Sequence, residues 1–381
     1  MNQKELGELR RRFRPEKSAV SRVYGCYVNG SSREIISYLD ESLGTMPQEE
    51  AEKYLSLLKK ALSGTLGKQL IDIVFSTRQV ADSDEHRLLS ALRESELRDG
   101  EIRETFYRTV IDALDMGESN YLLLLAHDAY DVPHRNKNGE TDGSDEVFSY
   151  ILCAVCPVKN CKMELGYFPG ENEFHSCAAG QIVSAPDLGF LFPAFDDRAA
   201  NIYNALFYSR KPDQLHQEFI DAVFRTEAPM SAAEQREAFE GALSGALEGA
   251  CSLEVVQAVH GRLVEKIEAH KDSGDPEPLA LSAGEIGGML RDCGVPEERT
   301  AAFQEQCGQA FGGGALNPEN LIDAKRFDVK TEQATISIDP AYSYLVETRI
   351  IGGRKYLLIP AGEGVEVNGL SVELEAGKTE E

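Results

Sequence analysis

Two apolar runs separated by a polar stretch constrain this chain more than any other feature. The first is Tyr121-Leu122-Leu123-Leu124-Leu125-Ala126. The second is Val147-Phe148-Ser149-Tyr150-Ile151-Leu152-Cys153-Ala154-Val155-Cys156-Pro157. Short apolar runs bounded by turn residues read as buried strands of one sheet. Between them lie His127, Asp128, Tyr130 and Asp131, then a glycine-bearing polar segment, Pro133–Ser144, expected to be an exposed loop. Any fold for this chain has to bury these two strands together.

The flanking sequence supplies helices. Residues 1–14 show a helical pattern with Leu6 and Leu9 inward. Ser18–Val28 turns strand-like, and Asn29-Gly30 is a hairpin signal ahead of Glu34–Leu39. Pro47–Leu62 places Leu55, Leu58 and Leu62 on one stripe and stops at Gly64, as a helix with proline in its first turn should. Leu70–Phe75 is a short apolar run, and Asp84–Arg98 and Glu101–Leu114 read as amphipathic helices. Further strands are expected at Leu165–Phe168, Phe174–Ser176, Leu188–Phe195 and Asn201–Tyr208, then a helix over Pro212–Phe224.

Beyond residue 225 the composition shifts. Capping boxes at Ser231-Ala232-Ala233-Glu234 and Ser282-Ala283-Gly284-Glu285 open helices. Two more are expected at Ser252–His270 and Pro296–Phe311, with Lys271–Pro278 as a linker. The tail has strands at Ala334–Ile338, Leu345–Ile351, Lys355–Ile359 and Val365–Val372, with tight turns at Gly352-Gly353 and Asn368-Gly369. The expected fold class is therefore α+β, with an N-terminal mixed sheet flanked by helices over 1–225. A helical middle follows over 226–324, then a small β-rich C-terminal unit over 325–381. That last unit is too small to bury a core alone and needs a partner surface, either the helical middle or a second copy in a homodimer.

Charge narrows the partners. Asp and Glu number 64 against 39 Lys and Arg, a net charge of −25. Most of the surface repels nucleic acid and anionic membranes, which leaves room only for a local basic patch. The apolar runs are too short to span a bilayer, which takes roughly 20 residues. The first residues lack an apolar signal core, and the eight cysteines are irregularly spaced rather than arranged as a disulfide framework. The expected compartment is a reducing cytoplasm, with no membrane partner.

Three constellations might carry chemistry. His127, Asp128, Asp131 and Glu146 combine an imidazole with hard oxygen donors, the set for a divalent ion or an acid–base pair. Against this, His127 and Asp128 point to opposite faces of any strand that runs through them. The ordinary alternative is a polar turn. Cys153, Cys156, Cys161, His175 and Cys177 imitate a zinc or redox set, but residues three apart on a strand also face opposite ways unless Pro157 breaks it. Buried structural thiols are the plainer reading, and neither a resident metal nor a cofactor is expected. The third is cationic. Arg10, Arg11, Arg12 and Arg14 form the one dense basic stretch, either a nucleic-acid-contacting arm or a solvated helix end. Ser282–Gln309 imitates a helix-turn-helix, yet its second helix opens on Glu297 and Glu298, which phosphates would repel, so it reads as a packing hairpin.

Several stretches resemble the bacterial family catalogued as domain of unknown function 4317. They include His127-Asp128-Ala129-Tyr130-Asp131-Val132-Pro133, Ser144-Asp145-Glu146-Val147, Phe190-Leu191-Phe192-Pro193-Ala194-Phe195 and Leu345-Val346-Glu347-Thr348-Arg349. That likeness implies no activity. More distantly, the order of strand pair, Gln217–Phe224, helical region, Lys325-Arg326-Phe327 and β tail is similar to nucleoid-associated proteins of the NdpA type. It implies a non-catalytic interaction protein whose partner is nucleic acid or nucleoprotein. A metal-dependent hydrolase using the His127 cluster and a plain structural scaffold are the alternatives.

Overall fold

The run Leu122–Leu125 is unbroken because both of its faces are covered. In the computed structural model Leu123 and Leu125 enter one core while Leu122 and Leu124 enter another on the opposite side of the sheet. A strand covered on one face only would alternate with polar residues. The structure describes residues 1–16, 18–135, 141–161, 164–177, 180–248, 251–361, 365–367 and 369–372, without the side chains of 134, 135, 141–146, 164, 176 and 177. The chain divides into two compact units, Met1–Gln235 with Asp275–Pro278, and Arg236–Gly274 with Leu279–Glu381. Of the expected linker Lys271–Pro278, the part Asp275–Pro278 groups with the first unit.

The strands of the first unit are β1 (Arg22–Val28), β2 (Ile35–Ser42), β3 (Leu70–Val74), β4 (Tyr121–Arg135), β5 (Thr141–Asn160) and β6 (Glu164–Phe168). They continue with β7 (Glu173–Cys177), β8 (Gln181–Val183), β9 (Leu188–Phe192), β10 (Ala194–Asp196), β11 (Ala199–Asn201) and β12 (Asn204–Ser209). The main sheet runs β2-β1-β4-β5-β9-β12-β3, with β8 against β5. Its strand pairs are antiparallel, where the expectation was a mixed sheet. The reason lies in the connections. β1–β2 and β4–β5 are hairpins, and β3 joins the edge beside β12 rather than the neighbour that follows it in sequence. β4 and β5 also run further than expected, taking in Pro133–Arg135 and Thr141–Ser144, so most of the expected loop is strand; residues 136–140 lie outside the described ones.

Helices α1 (Gln3–Arg12) and α2 (Gln48–Lys60) cover one face of the sheet. Leu6, Leu9 and Phe13 from the first, and Leu55 and Leu58 from the second, meet Leu122, Leu124, Leu152, Leu191 and Leu206. The short α3 (Thr77–Asp82), which the sequence reading missed, precedes α4 (Asp84–Glu94), α5 (Gly100–Ala113) and α6 (Gln217–Phe224). Leu89, Phe106, Val110, Phe219 and Phe224 cover the other face, against Leu123, Leu125, Cys153, Phe190 and Phe207. The result is a helix–sheet–helix sandwich.

The second core is helical. It is built from α7 (Ala232–Ala246), α8 (Leu253–Ser273), α9 (Ala283–Asp292), α10 (Glu297–Ala310) and α11 (Pro318–Leu321). Both predicted capping boxes form. Ser231 N–H donates to Glu234 Oε2 at 2.7 Å, and Ser282 N–H to Glu285 Oε2 at 2.8 Å. Phe303 and Cys307 of α10 are buried in one cluster with Ile286 and Leu290 of α9, so this helix pair turns its apolar faces inward. The tail comprises β13 (Phe327–Lys330), β14 (Thr335–Ile338), a 3-10 turn (Pro340–Leu345), β15 (Glu347–Ile351), β16 (Arg354–Leu358), β17 (Val365–Val367) and β18 (Leu370–Val372). Its first part is anchored on α8. The Phe327 ring lies 5.3 Å from that of His260, and Gln257 Nε2 donates to the Ser343 and Val346 carbonyls at 2.6 and 3.1 Å. After Val346 no described residue is buried. The helical middle and this tail thus belong to one compact unit.

Candidate functional site

The polar residues that follow the leucine run are held by helix α1. Asn2 caps that helix, accepting from the Lys4 and Glu5 N–H groups, while Glu5 returns the bond to the Asn2 N–H. The cap fixes the helix phase. Leu6, Leu9 and Phe13 then face the sheet, and Glu5, Glu8 and Arg12 form a parallel stripe one residue behind. This polar stripe lies over Asp128–Tyr130 of β4 and Tyr150 of β5.

Arg12 grips Asp128 with both arms of its guanidinium, Nε to Oδ2 at 2.6 Å and Nη2 to Oδ1 at 2.7 Å. Tyr150 donates its hydroxyl to Asp128 Oδ2 at 2.8 Å. Asp128 is 3% exposed, and each of its oxygens has a donor. The bidentate pair raises the Arg12 pKa further above its already high ordinary value. Burial first, then the neighbouring Asp128 charge, lifts the Tyr150 phenol well above its ordinary range, so it stays a donor. The network continues outward. The Arg12 guanidinium carbon lies 4.9 Å from the centroid of the Tyr130 ring, and Tyr130 donates to Glu8 Oε2 at 3.0 Å. Arg198 donates to Glu8 Oε1 at 3.1 Å and to the Pro133 carbonyl at 3.0 Å, and its own N–H reaches Glu5 Oε1.

His127 faces the other way, as strand alternation requires. Its Nε2 lies 2.9 Å from Oγ of Ser149, the diagonal neighbour on β5, and burial lowers its pKa below the ordinary histidine value. Asp131 is exposed. Glu146 pairs with Val132 in the backbone register, but its side chain lies outside the described ones. His127 and Asp128 therefore do not converge, and Asp128 is spent on Arg12 and Tyr150. Among the described residues no group of three His, Cys, Asp or Glu side chains could hold a metal ion. The His127 imidazole and the Asp128 carboxylate lie on opposite sides of a packed sheet, so these two do not form an acid–base pair with each other.

The cysteine set separates likewise. Strand β5 continues through Pro157 to Asn160 without the break that would turn the thiols together. Cys153 enters the core beneath α4–α6 and Cys156 the core beneath α1 and α2. Cys161 is half-buried, His175 is exposed beside Glu171 and Glu173, and the Cys177 side chain lies outside the described ones.

The arginine cluster divides too. Arg10 donates to the Leu62 and Gly64 carbonyls at 2.6 and 2.8 Å, closing the C-terminal end of α2. Arg12 is committed to Asp128. Arg11 and Arg14 remain exposed. The physical account of the cluster is that it lies in the last turn of one helix and beside the end of another, where cations complement the dipole and the unpaired carbonyls.

What the sequence reading missed is outside this centre. Large apolar side chains are exposed on narrow two-stranded ribbons. On β6–β7 these are Leu165, Tyr167, Phe168 and Phe174, and on β15–β16 they are Ile350, Ile351 and Tyr356. Their signal was present as strands too short to share a core and bounded by tight turns.

No curated protein and no solved structure matches this chain, and nothing in the comparisons supports the more distant likeness to the NdpA type. A family model does match, and it spans residues 1–370, from the α1 cap through the sheet and the helical core to the last ribbon. The chain belongs to the family described as Domain of unknown function (DUF4317).

Proposed function

We propose that this chain is a non-catalytic interaction protein of the nucleoid-associated kind. The observation that supports the reading is the exposure of large apolar side chains on two-stranded ribbons. Ile350 is 72% exposed, Leu165 70% and Phe174 64%, while the largest side chains of the sheet cores, such as Phe148, Phe190 and Phe207, are fully buried. Clustered exposed apolar residues mark contact surfaces. The candidate catalytic groups do the opposite, since Asp128 and His127 each satisfy an internal partner. No helix among the described residues is long and apolar enough to cross a membrane, so these side chains are not the flank of a spanning helix.

The reading is tested by looking for turnover. The full chain is incubated with magnesium, manganese or zinc and chromogenic phosphoester, carboxylic ester and peptide substrates, beside His127→Ala and Asp131→Asn variants. The expected result is no turnover above the uncatalysed rate. Turnover that either substitution abolishes would establish the hydrolase instead.

A further inference from the structure

The ribbon β15–β16 reverses the charge of the chain. Across the whole sequence acids exceed bases by 25, yet residues 347–360 contain three cations, Arg349, Arg354 and Lys355, and one anion, Glu347. Every residue from Glu347 to Tyr356 is exposed. The only ion pair in the ribbon among the described residues joins Arg349 to Glu347 at 2.9 Å, with both side chains largely in water, where such a pair contributes little. Arg354 and Lys355 make no ion pair among the described residues.

The register places these cations on both faces. Cross-strand partners share a face. Arg349 opposite Tyr356 and Ile351 opposite Arg354 therefore lie on one side, and Ile350 opposite Lys355 on the other. The tip is Gly352-Gly353, with φ of +57° and +77°, the left-handed pair of a tight hairpin turn. It is narrow and carries no side chains. An isolated two-stranded hairpin is marginal in water, so a ribbon open on both faces is best stabilised by something that covers both.

Resting on the reading above, we propose that β15–β16 is the nucleic-acid-contacting element of this protein and inserts into the major groove of duplex DNA. Charge complementarity selects an anionic occupant. The two-sided placement of the cations selects its shape. A lipid surface engages an amphipathic element along one apolar face, with the charges on the opposite face. Here each face carries a cation beside an aliphatic residue, so neither face suits a bilayer. A flat acidic protein surface would also meet one face only. The major groove is wide enough to admit a two-stranded ribbon and has a phosphate wall on each side. The face with Arg349, Ile351 and Arg354 lies against one wall, the face with Ile350 and Lys355 against the other, and the glycine tip runs along the floor.

The test is fluorescence anisotropy of a labelled duplex with the full chain over a range of salt. The parent is compared with a ribbon variant, R349Q/R354Q/K355Q, and an arm variant, R11Q/R14Q. All replaced side chains are exposed, and unchanged melting curves confirm that the variants fold. The ribbon variant is expected to bind about tenfold more weakly or worse, with a salt slope shallower by roughly 0.9 for each of the three lost phosphate contacts. The arm variant is expected to bind like the parent. Equal binding by parent and ribbon variant overturns the ribbon proposal. If the arm variant alone loses binding, the nucleic-acid reading stands and the ribbon assignment falls. No duplex binding by the parent overturns both, and binding to phosphatidylserine vesicles in place of duplex assigns the ribbon to a membrane surface and rejects the proposal.

Discussion

Replacing Asp128 by Ala should destabilise the first unit more than any other single loss of charge in the network. The substitution strands the Arg12 guanidinium and the Tyr150 hydroxyl. The side chains of Arg12 and Asp128 are 17% and 1% exposed, so water reaches the arginine a little and the aspartate hardly at all. Removing one partner of a buried ion pair costs about 3–5 kcal/mol, and the partial access of Arg12 to water places this case near the lower end, about 3 kcal/mol. The unpartnered Tyr150 hydroxyl adds about 1 kcal/mol. In a unit of this size each kcal/mol lowers Tm by roughly 2–4 °C, so the fall should be roughly 8–16 °C. Urea unfolding gives the same quantity as a shift in midpoint at constant slope. Asp131→Ala, three residues further along the strand and exposed, serves as the control and should stay within about 0.5 kcal/mol. A double variant, Arg12→Met with Asp128→Leu, removes both charges together and should recover much of the loss, because no unpaired charge is left behind. If Asp128→Ala melts together with Asp131→Ala, the network does not anchor α1 and the argument that Asp128 is structurally committed is refuted.

The other predictions concern protonation, thiols and the tail. Burial lowers the His127 pKa, so below about pH 6.5 the unfolded chain binds a proton that the folded one does not. Stability should therefore decline as pH falls from about 6.5 toward the lower folded value, and His127→Gln should flatten that decline; an unaltered slope in the variant would remove His127 as its source. Cys26, Cys153, Cys156 and Cys307 are buried, and burial pushes Cys26 and Cys156 up to about 12 and Cys307 to about 11. Thiol titration of the native protein should show the exposed Cys251 reacting first and fewer than four fast thiols, with all eight appearing on unfolding. Four or more fast thiols, or any disulfide, would contradict the packing. Ending the chain after Val346 removes no buried side chain among the described residues and should leave the melting of the second unit unchanged, whereas ending it before Lys325 also removes Phe327, Ser343 and Val346 and should lower it by several °C. Equal melting of both truncations would show that the segment is not anchored on α8.

Much of the fold was legible because its signals are local. Ser231–Glu234 and Ser282–Glu285 form the capping boxes that their spacing announces, and Leu55, Leu58 and Leu62 lie on the buried stripe of α2 or just past its end. Strand direction was not legible. Nothing in Leu70–Val74 says that β3 will join the sheet beside β12, more than a hundred residues later, and that placement is part of what makes the sheet antiparallel. Pro157 was read as a possible break because proline removes a ladder donor. The strand tolerates it, and the backbone resumes pairing at once, Val158 N–H bonding the Asn120 carbonyl at 2.7 Å and Val158 facing Val183 in β8. The extra length of β4 and β5 was hidden by polar composition, since a hairpin that runs past its core needs no apolar residues to stay paired.

The commitment of Asp128 could not be read from the sequence because its partner is distant. His127-Asp128 attracts attention as a metal-ligand or acid–base set, but what decides the fate of Asp128 is Arg12, 116 positions away. A trace of that pairing is visible in the sequence. Glu5, Glu8 and Arg12 repeat the spacing of Leu6, Leu9 and Phe13, so a polar stripe runs beside the apolar one on the same helix, half of it necessarily turned toward the protein. Such a stripe needs polar partners inside, and the sheet offers Asp128, Tyr130 and Tyr150 at the matching height. The same reasoning runs in reverse for β15–β16. There the tight Gly352-Gly353 turn was read as an ordinary hairpin signal, and Arg349, Arg354 and Lys355 were given no reading as a group. A solvated charge on a strand normally sits opposite a buried face. This ribbon has no buried face, so its cations and its isoleucines are equally available: Arg349 has only the solvent-exposed Glu347 beside it, Arg354 and Lys355 make no ion pair among the described residues, and the proposed polyanion contact draws on these three charges.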